Sequence, residues 1–186
     1  WWNDIEKGDF DKDGDIDLIV GNLGLNYKYQ ASNKATFDLY VDDFDLNSSQ
    51  DLVLGYFNNG EQFPVRGRQC SSEQIPAIEL KFKDYNSFAS ASLESIYGKK
   101  ELDDARHLQV NSFSSKVFIN DGQGNFEASD LPIEAQYAPI NDLIISDINK
   151  DKIPDIILAG NLFASEVETP RADAGIGLLL RGKGDG

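Results

Sequence analysis

Five aspartates alternate along D-F-D-K-D-G-D-I-D near the start of the chain: Asp9, Asp11, Asp13, Asp15 and Asp17. The spacing returns twice. Asp43, Asp45, Asn47 and Asp51 occupy the first, third, fifth and ninth places of a second loop, and Asp147, Asn149, Asp151 and Asp155 those of a third. Two carboxylates about 4 Å apart repel by about 4 kcal/mol at an effective dielectric near 20. A hard cation removes that cost, and calcium accepts six to eight oxygens from flexible loops of this kind. The competing reading is a set of acidic β-turns without metal.

The elements around these loops are strands. Each loop runs into a short apolar segment closed by glycine or alanine-glycine: D-L-I-V-G-N at 17–22, D-L-V-L-G-Y-F at 51–57 and D-I-I-L-A-G-N at 155–161. Such runs read as buried strands. Alternating segments at 36–44 and 141–147 lead into the second and third loops. An EF-hand is excluded, because it needs a bidentate Glu at position 12 and a following helix. Position 12 is Val20, Leu54 and Leu158, each within a predicted strand.

Between the second and third loops lies a segment of different character. From 71 to 107, Ile75, Ile78, Phe82, Tyr85, Phe88, Leu93, Ile96 and Tyr97 recur at helical spacing, predicting a helical insertion that packs its apolar face on a sheet. Asp84 or Ser87 can cap its second helix, Gly98 stands where a C′ glycine belongs, and a short third helix fits 99–106. A hairpin is predicted at 117–126, where Asn120-Asp121-Gly122 tolerates positive φ. The tail from 176 begins the same pattern.

The chain has 186 residues with a net charge of -15, and its 40% hydrophobic content argues against disorder. Acidity excludes a nucleic-acid binder, which needs clustered Lys and Arg. No apolar stretch reaches the roughly 20 residues of a membrane helix. The single Cys70 leaves no intrachain disulfide and reads as a small buried residue, and the single His107 reads as structural.

D-x-D-x-D-G-x-x-D followed by an apolar strand and G-N resembles the FG-GAP/VCBS repeat of calcium-bearing β-propellers, including the integrin α-subunit head. The hairpin V-F-I-N-D-G-Q-G-N-F is similar to a VCBS segment. The runs G-N-L-G-L-N at 21–26, V-R-G-R-Q-C at 65–70, I-Y-G at 96–98 and L-P-I-E-A-Q-Y-A-P at 131–139 resemble large secreted bacterial proteins, chiefly of Bacteroidetes. Those proteins join such repeats to an ASPIC/UnbV-type C-terminal segment. The resemblance implies a mainly β fold, a partial β-propeller of about three repeats with a small helical insertion. Repeat 1 would span 1–35 and the first part of repeat 2 36–70. The insertion follows at 71–107, the completion of repeat 2 at 108–139, and a truncated repeat 3 at 140–186.

The resemblance further implies up to three calcium ions. Side-chain oxygens come from Asp9, Asp11, Asp13 and Asp17; from Asp43, Asp45, Asn47 and Asp51; and from Asp147, Asn149, Asp151 and Asp155. Backbone carbonyls come from Asp15, Ser49 and Ile153. The family prefers Gly at the sixth place, which Gly14 satisfies and Ser48 and Lys152 do not. The first loop is therefore expected to bind tightest, and the third, beside the Lys152 charge, weakest. No catalytic set stands out. The expected function is an extracellular or cell-surface module that binds a protein or glycan, with structural calcium and with self-association through open blade faces. The alternative is the scaffold of a polysaccharide lyase-like enzyme, its catalytic residues elsewhere, with Tyr27, Tyr29, Tyr56 and Phe57 as a sugar platform.

Overall fold

The computed structural model describes residues 2–165 and 169–184. In chain order the strands are β1 (Asp4–Gly8), β2 (Asp17–Gly21), β3 (Phe37–Asp42), β4 (Asp51–Asn58), β5 (Glu61–Pro64), β6 (Arg106–Val110), β7 (Lys116–Asn120), β8 (Phe126–Asp130), β9 (Asp142–Ser146), β10 (Asp155–Ala159) and β11 (Leu178–Leu180). Between β5 and β6 lie the helices α1 (Arg68–Gln74), α2 (Ala77–Lys81), α3 (Tyr85–Ala89), α4 (Leu93–Tyr97) and α5 (Lys99–Asp104). The protein is mainly β, built from antiparallel sheets, and divides into two compact units.

Unit 1 comprises Trp1–Lys28 and Phe113–Gly186 and holds two sheets, ordered β1-β2-β7-β8 and β11-β10-β9. Strand alternation puts Ile19, Leu143 and Leu158 inward, where they join Phe10, Leu131, Ala135 and Ile140 in one apolar cluster. The opposite faces are apolar as well. Trp2, Ile5 and Phe126 stay exposed on the first sheet, and Ile144, Ile157 and Leu179 on the second. Strands apolar on both sides are the pattern of sheets covered on both sides.

The residues after the apolar strands have a structural task. A Cβ at Gly21 would stand 2.7 Å from the Ile140 carbonyl oxygen, so only glycine admits this approach. Asn22 is buried and donates from Nδ2 to Ser114 O, while its Oδ1 accepts the Leu23 amide. Asn161 does similar work after β10, bonding Gly175 through both its oxygen and its amide nitrogen. Each Asn thus satisfies backbone groups that a strand end leaves open.

Unit 2 is Tyr29–Ser112, a four-stranded sheet ordered β5-β4-β3-β6 with the helices. A two-residue turn at Asn59-Gly60, both at positive φ, joins β4 to β5. Tyr40 and Val53 of the sheet pack with Leu93, Leu102 and Ala105, while Ile75, Ile78, Phe88 and Ile96 form a second cluster among the helices. The helical insertion expected at 71–107 is thus five short helices between 68 and 104, and Arg106 and His107 already belong to β6. Asp84 caps α3 by accepting the Ser87 amide at 2.8 Å, and Gly98 ends α4 with φ of 96°. Cys70 differs from expectation: it is half-buried on α1 rather than in the core.

The assignment of 108–139 to the completion of repeat 2 requires correction. β7 pairs with β2 in the register Leu18↔Phe118, Ile19↔Val117 and Val20↔Lys116, so the 117–126 hairpin completes the first sheet. β6 does complete the sheet of β3 and β4. All of unit 2 is thus an excursion between the second and third strands of the first sheet. The excursion leaves and returns at one place, because the Gly24 amide donates to Phe113 O at 2.8 Å. Replacing Tyr29–Ser112 by a short Gly/Ser linker should leave a folded unit 1 that retains the first and third acidic loops. Circular dichroism melting with a calcium titration checks this; loss of a cooperative transition would show that unit 1 cannot stand alone.

Candidate metal centre

The three acidic loops have one backbone. In each, the amide at the second place donates to the ninth-place Asp: Phe10 to Asp17 Oδ2 (2.8 Å), Phe44 to Asp51 Oδ2 (3.0 Å) and Ile148 to Asp155 Oδ2 (3.1 Å). The fifth-place amide donates to the third-place side chain: Asp13 to Asp11, Asn47 to Asp45 and Asp151 to Asn149. The seventh-place amide donates to the fifth: Asp15 to Asp13, Ser49 to Asn47 and Ile153 to Asp151. The alternation of acids is therefore also a ladder of side-chain turns that winds the loop.

The sixth place has positive φ in all three loops: Gly14 at 97°, Ser48 at 71° and Lys152 at 69°. Ser48 and Lys152 hold the left-handed conformation without the glycine that makes it cheap. The fourth place is left-handed as well, at Lys12, Leu46 and Lys150. Nothing in those residue types signals it. A left-handed non-glycine residue costs about 1–2 kcal/mol, a strain the surrounding hydrogen bonds hold in place.

The ninth-place aspartates are the anchors. Asp17, Asp51 and Asp155 are all buried at the first residue of a strand. Asp17 Oδ1 also accepts the Asn120 amide at 2.9 Å, and Asp155 Oδ1 the Gly182 amide at 3.0 Å. These two aspartates thus tie their loops to the far end of the neighbouring strand, β7 for Asp17 and β11 for Asp155.

Two loops bring carboxylates together. Asp9, Asp11 and Asp17 each offer an oxygen within 4.8 Å of the others, as do Asp43, Asp45 and Asp51. The third loop has Asn149 in the third place, where it accepts the Asp151 amide and donates from Nδ2 to Asp151 Oδ2 at 2.8 Å. Arg181 lies 4.0 Å from Asp151, whose carboxyl is held below the ordinary value chiefly by the Ile153 amide. The Asp15 carboxylate lies against Gly122 of the β7–β8 hairpin. The residues gathered first are thus the first, third and ninth places.

The loops differ at the first place. Asp43 accepts the amides of Asn47 and Ser48, and Asp147 those of Asp151 and Lys152. Asp9 Oδ1 is buried with no hydrogen-bond partner among the described residues. A buried carboxylate oxygen without a donor costs several kcal/mol unless a cation meets it. In the second loop, burial pushes the Asp51 carboxyl above its ordinary value, and the charges of Asp45 and Asp43 push it further. The donor sets of the first two loops fit a hard divalent cation: all oxygen, crowded and over-charged without it.

Asp11→Ala should abolish one calcium-binding event, whereas Asn149→Ala should alter only the weakest. Calorimetric titration of both variants tests the order; equal losses would refute it.

His107 has the structural setting expected of it. Its Nε2 lies 2.7 Å from Oδ1 of the buried Asp38, and its ring stacks on Tyr40 at 4.2 Å. Thr36, Gln62 and Gln109 also donate to Asp38, a polar cluster spanning β3, β5 and β6 that the sequence did not announce. Two of the four aromatics considered for a sugar platform are taken up in packing within their own units. Tyr29 is buried against Phe37 and Tyr56, and Tyr27 meets Phe113 edge-on.

Compared with protein-family models, curated proteins and solved structures, the chain matches none. Among the described residues no helix is long and apolar enough to cross a membrane.

Proposed function

We propose that this chain is a calcium-stabilised segment of an FG-GAP/VCBS-type β-propeller, acting outside the cell as a recognition module for a protein or glycan. The observation that carries the metal reading is the Asp9, Asp11 and Asp17 triad with its partnerless buried oxygen. The threefold identity of loop hydrogen bonds supports a repeat, and the four-stranded antiparallel sheets support blades. Calcium would supply positive charge that offsets the repulsion within each loop. Asp9, Asp11 and Asp17 would hold the first ion; Asp43, Asp45 and Asp51 the second. The loop then fixes the angle between the strands on either side of it, and binding energy becomes folding energy.

Self-association belongs to the same reading. The apolar outer faces of both unit 1 sheets, with Trp2 and Ile5 on one and Ile144 and Leu179 on the other, are surfaces that a neighbouring blade or a second copy would cover.

Titration calorimetry on cation-stripped protein tests the proposal. Calcium should bind at two or three sites and exceed magnesium, which demands a smaller and more rigid octahedron. Absence of binding at millimolar calcium would sink it.

A further inference from the structure

We propose that unit 2 carries a pocket for a carboxylate-bearing sugar, formed where the end of β5 meets α1 and α3. The cavity measures about 270 Å³, just under the range usual for drug-sized ligands, which suits a single sugar ring. Its walls are Tyr56, Phe63, Arg66, Arg68, Tyr85 and Phe88, with no acidic residue among the lining. In a chain of net charge -15, a largely buried arginine, Arg68, at the wall of a cavity without acidic lining marks it for an anion.

Arg68 is the centre of the argument. Its side chain is only 10% exposed. Nε donates to Phe82 O, one terminal nitrogen approaches the exposed Glu79 carboxylate at 3.4 Å, and the guanidinium carbon lies 5.4 Å from the Tyr85 ring centroid. A guanidinium has five N–H donors in a planar fork, and these contacts use two. The remaining donors suit a carboxylate, which the fork grips in a bidentate manner.

Tyr85 supplies the second observation. Its helical spacing places it with the buried apolar set, yet it is 64% exposed while Phe88 of the same helix is buried. The ring stands at the pocket's rim, and Tyr56 and Phe63 line the wall with centroids 6.4 Å apart. Aromatic faces pack the C–H face of a pyranose, whose hydroxyls keep the other side polar. The compact aromatic and guanidinium lining favours a carboxylated ring over an extended acidic peptide. The inference leaves the metal loops aside and rests on the recognition reading only in taking a glycan as partner.

Ligand-observed NMR with the full chain at saturating calcium tests it, using methyl glucuronide and methyl glucoside, which differ only in the carboxylate. The glucuronide should bind roughly tenfold tighter or better. Arg68→Gln should erase that preference, and Tyr85→Ala should weaken glucuronide binding roughly tenfold. Tyr85 is exposed, so its variant keeps the test alive if the Arg68 variant unfolds; Lys100→Ala on α5, outside the pocket's lining, should change nothing. Equal binding of the two glycosides would overturn the assignment while leaving a glycan reader intact. Acetate or an Asp/Glu peptide matching the glucuronide, an inert Tyr85→Ala, or no binding at all would also overturn it. Calcium titration of the same variants reads the metal proposal separately.

Discussion

Removing calcium with a chelator should lower the melting temperature of both units by about 10–20 °C. Ligand at 100 times its Kd contributes about 2.7 kcal/mol per site. One kcal/mol moves the midpoint of a 60–100-residue domain by about 4–8 °C. The first triad lies in unit 1 and the second in unit 2, so neither unit escapes. Scanning calorimetry with and without chelator measures the shift, and superimposable curves would end the structural role of calcium. The chelated protein should recover part of its loss as the pH falls. Burial and the charges of Asp43 and Asp45 raise the folded-state carboxyl of Asp51 above its unfolded value. Its ionisation therefore opposes folding above that raised value, and the cost disappears as protons return below it.

Asp17→Ala should be the most damaging single substitution in the metal loops. Asp17 is fully buried and accepts amides from Phe10 and Asn120 as well as standing in the first triad. Leaving the buried Phe10 amide without its acceptor costs about 1–3 kcal/mol, and the half-buried Asn120 amide adds to it, a large share of the 5–15 kcal/mol that usually holds a domain together. The loss persists in chelator, where Asp11→Ala should become almost neutral. Asp11 contributes to the triad and accepts one exposed amide. Denaturant melts of both variants, with and without calcium, separate the anchor from the ligand. Equal costs in chelator would show that Asp17 has no duty beyond metal.

The local chemistry of this chain was largely legible. Carboxylate spacing located the loops, Val20, Leu54 and Leu158 are in strands as periodicity required, and Asp84, through its carboxylate, and Gly98, through its freedom to take positive φ, bound the helices. The failures concern partners. Consecutive strands are neighbours only about two-thirds of the time, and nothing in V-F-I-N says that it belongs to Leu18 and Ile19 rather than to the strands just before it. Tyr85 has the spacing of a core residue but lies outside the core, because periodicity fixes a helix face and not what meets it. The left-handed Lys12, Leu46 and Lys150 were invisible for another reason: the turn imposes their conformation, and their side chains offer no local preference for it. The Asp38 and His107 cluster joins residues 69 positions apart, beyond the reach of any local pattern.

The excursion between β2 and β7 also imposes a timetable on biosynthesis. The 94 residues between β2 and β7 must leave the ribosome before the second hydrogen-bonding neighbour of β2 begins to exist, a wait of roughly 5–19 s at translation rates of about 5–20 residues per second. Unit 2 is continuous in sequence and can collapse during that interval, while the β1–β2 hairpin bides with an open edge and an uncovered Ile19. Nascent chains halted between these two points would offer a chaperone a sticky, half-built sheet.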